Sequence, residues 1–249
     1  MASRKYDAAG VETEFQPGSR GRVLRNLLGI VRVRDMNEAE SQMLGVAQEA
    51  ALDRYSVDHR FTAADVCTLH RLWLAPIYIW AGKFRAVNVG KGGFQFAHAP
   101  LIERLMSALE RGALRRHTPC LPGDDAAVAH ALAEVHAELI LIHPFREGNG
   151  RVARMLALLM ALQAGLPPLN FGPLAGRGKA GYISAFTRPW AATTPRCRNC
   201  SCALSRYRGG SPLPIGNERF GISGKVRALA LAKRRADAFN CGRSPCGHA

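Results

Sequence analysis

Apolar residues recur at helical spacing along most of the first 165 positions of the chain. Positions three and four apart predict helices over residues 22–28, 36–55, 62–74, 100–114, 124–142 and 149–164. Residues that commonly cap helices precede three of these segments: Asp35 or Asn37, then Thr62, then Asp124 or Asp125. The sequence therefore predicts a mainly α-helical fold.

The helical pattern is interrupted between residues 77 and 96. Val87 and Val89, and then Phe94 and Phe96, alternate on either side of a glycine-rich turn. This alternation predicts a short β-hairpin, and it is the only strong strand signal in the sequence. An ordinary structural hairpin is the plain alternative to a functional one.

Charge and cysteine are distributed unevenly. The net charge is +15, but residues 188–249 hold 12 Lys and Arg against 2 Asp and Glu, together with five of the seven cysteines. The composition predicts a flexible lead-in over 1–20, one domain over 21–187 and a basic tail over 188–249. Since no apolar run approaches the length of a membrane span, we expect a cytoplasmic protein without membrane contact.

Polar chemistry is concentrated between the last two predicted helices, from His143 to Arg154. A helix N-terminus offers backbone N–H groups to an anion, and the segment Gly148-Asn149-Gly150 would let that anion approach closely. Arg151 and Arg154 are three residues apart, so their guanidinium groups would lie on nearly the same helix face. The segment is therefore predicted to bind a polyphosphate.

Two further residues of this segment suggest a reaction. Glu147 suits Mg²⁺, which prefers one or two carboxylates together with phosphate oxygens. His143 is the one nearby group whose unperturbed pKa, about 6.5, suits a general base at neutral pH. The plain alternatives are a solvated ion pair between Glu147 and Arg151, and a His-Pro helix stop. Taken as one set, the residues indicate phosphate-transfer chemistry on a hydroxyl group.

The segment from His143 to Arg154 resembles the signature of the Fic family, His-Pro-Phe-x-(Asp/Glu)-Gly-Asn-Gly-Arg-x-x-Arg. Residues 24–30 resemble the entry segment of that family, and residues 80–96 resemble its β-hairpin flap. The likeness covers about residues 20–187. It implies a Fic-type helical bundle with a short β-hairpin flap over the active site.

The resemblance implies that AMP is transferred from ATP, with Mg²⁺, to a Tyr, Thr or Ser hydroxyl of a target protein. His143 would be the base, Glu147 the metal ligand and Phe145 the anchor of the loop. The residues implied at the nucleotide are Gly148, Asn149, Gly150, Arg151, Arg154, Lys91 and Gly92. The flap, residues 87–97, would dock the target segment by strand addition. A kinase-like branch departs from Gly-Asn-Gly-Arg, which this chain keeps.

Many family members are inhibited by a glutamate of a Ser/Thr-x-x-x-Glu motif. No Ser or Thr of this sequence has Glu four residues later. Three alternatives follow: a separate antitoxin-like partner, an inhibitor in a missing C-terminal part, or no restraint of this kind.

The tail lacks the final helix that the resemblance implies, Gly-Arg-Asn-Tyr-x-Pro-Met-x-x-Leu-Phe. Re-reading the possible codons of residues 189–201 in another frame permits Met-Gly-Arg-Asn-Tyr-Ala-Pro-Met-Pro-Glu-Leu-Phe. We hypothesise a shifted reading frame shortly before residue 188, which stop codons in the alternative frame of the gene would exclude. Scattered zinc ligands and a disordered basic tail are the alternatives.

The second functional candidate is a catalytically impaired protein that binds nucleic acid or an acidic partner, although nucleic acid is not the expected partner.

Overall fold

The computed structural model describes residues 7–8, 14–91 and 93–171. Within these residues the helices are α1 Val33–Arg54, α2 Ala63–Leu74, α3 Ile102–Leu109, α4 Arg115–His117, α5 Asp125–Ile142 and α6 Asn149–Gln163. The strands are β1 Asp7–Ala8, β2 Val89–Lys91 and β3 Phe94–Gln95, and they form one antiparallel sheet in the order β1-β2-β3. The predicted fold class, mainly α with a short hairpin, is confirmed.

The region between the hairpin and α5 is one irregular helix. A 3-10 turn over Ala99–Leu101 leads into α3, and a π-helical segment over Glu110–Leu114 joins α3 to α4. The helix predicted over residues 100–114 is thus present with local changes of pitch.

Helix α6 runs through the interior of the molecule. Eleven of its fifteen residues are buried, and the helix packs against α5 on one side and α2 on the other. Helix α1 packs on α2, and α3 packs on α5. Because α6 is enclosed by its neighbours, its N-terminus is held at a fixed place within the helical bundle.

Two of the predicted helix caps are confirmed. The Thr62 side chain accepts a hydrogen bond from the backbone of Asp65, whose carboxylate bonds back to the Thr62 N–H. The Asp124 side chain accepts from the N–H of Ala127 at 2.9 Å. Each cap satisfies N–H groups that have no carbonyl partner in the first turn of a helix.

The predicted start of α1 was wrong. The cap residue is Arg32, and Asp35 lies inside the first turn, where its carboxylate is 2.8 Å from Nε of Arg32. An acidic residue is also favourable inside the first turn, because it faces the positive end of the helix dipole. An Asp near the start of a helix can therefore be either the cap residue or a residue of the first turn, and the sequence alone did not distinguish the two.

The helix predicted over residues 22–28 is absent. The segment is a loop built around Asn26, whose side chain bonds to the Gln16 side chain, to the Leu24 carbonyl and to both backbone groups of Ile30. Gly29, directly after this segment, adopts a left-handed φ of 66°, which glycine tolerates. The asparagine thus provides the local hydrogen bonds that a helix would otherwise provide.

The boundaries predicted for the lead-in, the domain and the tail stay predictions. Strand β1 lies within the predicted lead-in and pairs with β2, with Asp7 opposite Gly90 and Ala8 opposite Val89. The predicted tail, residues 188–249, lies outside the described residues. None of the described helices is both long and apolar enough to cross a membrane.

Candidate active site

The candidate base stands at the end of α5. His143 is the C-cap residue and has a φ of 53°, and its N–H bonds to the Leu139 carbonyl at 3.0 Å. A left-handed residue at this place ends a helix and turns the chain out of it. Pro144 follows and cannot continue the helix.

The hydrogen bonding of His143 assigns its neutral tautomer. Nδ1 lies 3.1 Å from the Ile140 carbonyl oxygen. Because a carbonyl only accepts hydrogen bonds, Nδ1 carries the proton and Nε2 carries the lone pair. Nε2 is therefore the nitrogen that can take a proton from a substrate.

The flap covers the His143 ring. Phe96 stacks on it with a centroid distance of 3.7 Å and an interplanar angle of 14°, and His143 is buried. Burial is the main reason that the pKa of His143 falls to about 4. The charges of Arg85 and Lys91 also lower this pKa, whereas the Ile140 carbonyl and the Glu147 carboxylate raise it. The imidazole is neutral at physiological pH, which is the state that a base requires.

The loop between α5 and α6 is closed by one amide side chain. Oδ1 of Asn149 accepts from the Phe145 N–H and Nδ2 donates to the Phe145 carbonyl, both at 2.8 Å. The Phe145 ring is fully buried and stacks on His70 at 3.9 Å. Phe145 therefore anchors the loop as expected, and Asn149 holds the loop in a tight turn.

Glycine is required where the loop enters α6. Gly148 is the N-cap residue with a φ of 84°, and a Cβ atom there would lie 2.6 Å from the Trp73 ring. Both the backbone conformation and the close approach exclude a larger side chain. The first N–H groups of α6 follow directly, at Asn149 and Gly150.

Arg151 is held by buried groups of α1 and α2. Its Nη2 lies 2.7 Å from Oε2 of Glu40 and 3.6 Å from Oε1 of Glu147, and its guanidinium group lies over the Trp73 ring at 4.3 Å. Glu40 also accepts from the Tyr78 hydroxyl at 3.0 Å. Because both carboxylates are buried, the solvated ion pair considered for Glu147 and Arg151 does not describe this contact.

Glu40 was missed in the sequence, although a signal was present. It occupies the position between Met36 and Leu44, four residues from each, on the stripe that α1 buries in the core. A carboxylate at a buried helical position requires a partner. The partner, Arg151, is more than a hundred positions away and could not be named from the sequence.

His70 is a second residue that the sequence did not reveal. Its Nδ1 accepts from the Gly82 N–H at 2.8 Å, so Nε2 carries the proton and donates to the Glu147 carbonyl at 3.1 Å. Burial lowers the pKa of His70 to about 4. The neutral ring therefore connects α2 to the backbone of the loop.

The remaining predicted nucleotide residues lie at the same loop where the structure describes them. The guanidinium group of Arg154 lies beside Gly150, 3.4 Å from where a Cβ atom would be. Lys91 is half-buried at the end of β2, and its charge acts on His143. Gly92 lies outside the described residues. The loop, the first turns of α6 and the end of β2 therefore contribute an imidazole, a carboxylate, a helix N-terminus and three of the cationic side chains in this region.

Comparison with known proteins identifies the family of this chain. The family model described as Fic/DOC family matches residues 60–161. The probable protein adenylyltransferase y4lH of Sinorhizobium fredii is 32% identical over 143 residues, which are 57% of this chain and 72% of that protein. The chain belongs to the Fic/DOC family.

Two further matches support the same family and fold. The protein adenylyltransferase VbhT of Bartonella schoenbuchensis is 33% identical over 163 residues, 65% of this chain but only 33% of that protein. The BepC effector of Bartonella tribocorum, whose crystal structure contains AMPPNP, has a TM-score of 0.58 at 22% identity and covers 73% of this chain and 91% of that one. The latter similarity shows the Fic fold alone.

The residues of this Fic domain are compatible with Mg²⁺ bound together with phosphate groups. In the part of the chain that the structure describes, no three His, Cys, Asp or Glu side chains are grouped as a metal site. A cation at the Glu147 carboxylate would therefore take its other ligands from phosphate oxygens and water. Mg²⁺ commonly binds in this way.

Replacing Gly148 by alanine is expected to destabilise the domain more than the same change at Gly165. Gly165 has a φ of 74° with nothing within 4 Å of a Cβ atom, so Gly165→Ala isolates the backbone strain, roughly 1–2 kcal/mol. Gly148→Ala adds the contact with Trp73. Urea unfolding at pH 7 compares the two variants, and equal losses of unfolding free energy would contradict the close packing.

Acidification is expected to destabilise the domain through its buried histidines. Burial lowers the pKa values of His70, His136 and His143 to about 4. The contribution of these neutral histidines to the unfolding free energy is therefore complete above their unfolded pKa of about 6.5. It is lost as the pH falls toward 4. Each such shift removes about 2 kcal/mol of unfolding free energy between pH 7 and pH 5.

The variant His70→Gln keeps a donor for the Glu147 carbonyl but does not titrate. Urea unfolding at pH 7 and pH 5 should show a smaller difference for this variant than for the unmodified protein. An unchanged difference would mean that His70 is charged in the folded state or does not titrate in this range.

Proposed function

We propose that the protein is a Mg²⁺- and ATP-dependent protein adenylyltransferase, which transfers AMP to a Tyr, Thr or Ser hydroxyl of a target protein. The observation that carries the proposal is the placement of the basic Nε2 of His143 at the same loop as the positive N-terminus of α6. The names of VbhT, a protein adenylyltransferase, and of y4lH, a probable protein adenylyltransferase, support this reaction.

The proposed reaction forms one bond and breaks one. The hydroxyl oxygen of the target attacks the α-phosphorus of ATP, and the bond between that phosphorus and the pyrophosphate oxygen breaks. Pyrophosphate leaves, and Nε2 of His143 takes the hydroxyl proton. The N–H groups of Asn149 and Gly150 stabilise the negative charge that develops on the α-phosphate.

The cationic side chains and the carboxylate divide the remaining tasks. Arg154, Arg151 and Lys91 would bind the phosphates. Glu147 would hold Mg²⁺. When bound, the cation would neutralise part of the negative charge of the phosphates. Arg151 already lies between two buried carboxylates, so its position is set before the nucleotide enters.

The flap is the proposed docking place of the target segment. Strand β2 lies between β1 and β3, so one of its edges is taken by Asp7–Ala8 of the same chain. A target segment that adds a strand to the flap must therefore displace β1 or pair with the outer edge of β3. The Nε2 atom of His143 is buried, so a hydroxyl can reach it only if part of its surroundings moves. That movement would hydrate the ring and raise its pKa toward the ordinary value.

The variant His143→Ala is expected to abolish transfer, because it removes the base. The protein is incubated with cell lysate, Mg²⁺ and ATP labelled at the α-phosphate, and label bound to protein is counted. The exposed His130 provides the matched control, and His130→Ala should transfer at the unmodified rate. Label from γ-labelled ATP should not become attached beyond the level that the kinases of the lysate produce without the added protein.

Three results would contradict the proposal. Transfer of γ-label would indicate a kinase-like reaction, and equal transfer by both histidine variants would exclude His143 as the base. Lack of α-label transfer combined with salt-sensitive retention of DNA would favour the alternative, a binding protein without catalytic activity.

A further inference from the structure

A single buried arginine connects the flap to the helix end that carries the base. Nε of Arg85 donates to the His143 carbonyl at 2.8 Å, and Nη2 lies 3.5 Å from the Ile142 carbonyl. The Nη1 and Nη2 groups donate to the carbonyls of Val87 and Ala97, the two ends of the flap. The Arg85 N–H donates to the Pro144 carbonyl at 2.9 Å.

The shape of the guanidinium group makes these contacts interdependent. The group is planar and rigid, so the carbonyls that it binds are fixed relative to one another. Two of them, Ile142 and His143, stand at the C-terminus of α5, where a positive charge is favoured by the helix dipole. A lysine ammonium group could contact some of these carbonyls, but it could not bind all of them at once as the planar guanidinium group does.

We propose that Arg85 is a positioning residue that fixes the flap relative to His143, so that a segment docked on the flap presents its hydroxyl to Nε2. This inference rests on the proposed adenylyl transfer. Arg85 binds the backbone at Val87 and Ala97, and it therefore acts through the flap and through His143. The stack of Phe96 on His143 is a second contact between the same two parts.

The test uses the full chain with Arg85→Met and Arg85→Lys. The exposed Lys83, two residues earlier, supplies the control variant Lys83→Met. Three quantities are measured: transfer of α-label to lysate proteins, affinity for AMPPNP with Mg²⁺, and hydrogen exchange along the chain. The exchange measurement does not require activity.

Both Arg85 variants should transfer label about 100-fold more slowly, the effect of a misplacement of about 1 Å. Their affinity for AMPPNP should fall far less than transfer does, because Arg85 lies outside the predicted phosphate contacts and the flap supplies only Lys91 and Gly92 of them. Hydrogen exchange should rise over residues 87–97 and 142–146 while α6 stays protected. The variant Lys83→Met should match the unmodified protein in all three measurements.

The proposal is overturned if the Arg85 variants match Lys83→Met in transfer or in exchange of the flap. It is also overturned if affinity for AMPPNP falls as much as transfer does. If Arg85→Met loses protection throughout the chain, Arg85→Lys decides, and a global loss in both variants would show that Arg85 supports the whole fold. If the unmodified protein transfers no label, the proposed function fails, while the exchange pattern still tests the connection of the flap to His143.

Discussion

The two hydrogen bonds between the Asn149 side chain and the Phe145 backbone close the turn on which the rest of the site depends. The six residues 143–148 connect α5 to α6, and the two bonds hold them in a tight turn. The turn requires a left-handed His143 at one end and a left-handed Gly148 at the other. His143, the proposed base, and the positive N-terminus of α6 therefore lie at the two ends of one short turn, although they belong to different helices.

Helices without any residue of the motif set the electrostatics of that space. Glu40 of α1 and Trp73 of α2 hold the Arg151 guanidinium group, and His70 of α2 binds the Glu147 carbonyl. A buried charge is costly unless it is paired. Movement of α1 or α2 away from α6 would therefore be unfavourable, because it would remove the partners of the Arg151 guanidinium group. The helical packing and the site are therefore stabilised by the same contacts.

The sequence predicted the features that depend on local chemistry. Helical periodicity, the caps at Thr62 and Asp124 and the turn before α6 follow from near neighbours in the chain. Two predictions failed because the same local sequence is compatible with two structures. The Asn26 side chain stabilises a loop where a helix was predicted, and Asp35 lies inside a helix that it was expected to cap. Glu40, His70 and Arg85 were missed because their partners are distant in sequence, and those partners give each residue its role.

We propose that the turn between α5 and α6 forms a ready site for the α-phosphate of ATP beside a neutral His143. A crystal structure of the chain with Mg²⁺ and AMPPNP tests it most directly. We predict that the α-phosphate lies against the N–H groups of Asn149 and Gly150, within reach of Nε2 of His143 once the flap admits a target. The Glu147 carboxylate should bind the metal, and the bonds between Asn149 and Phe145 should be unchanged. Phosphates bound elsewhere, or a turn that opens to admit the nucleotide, would contradict the account.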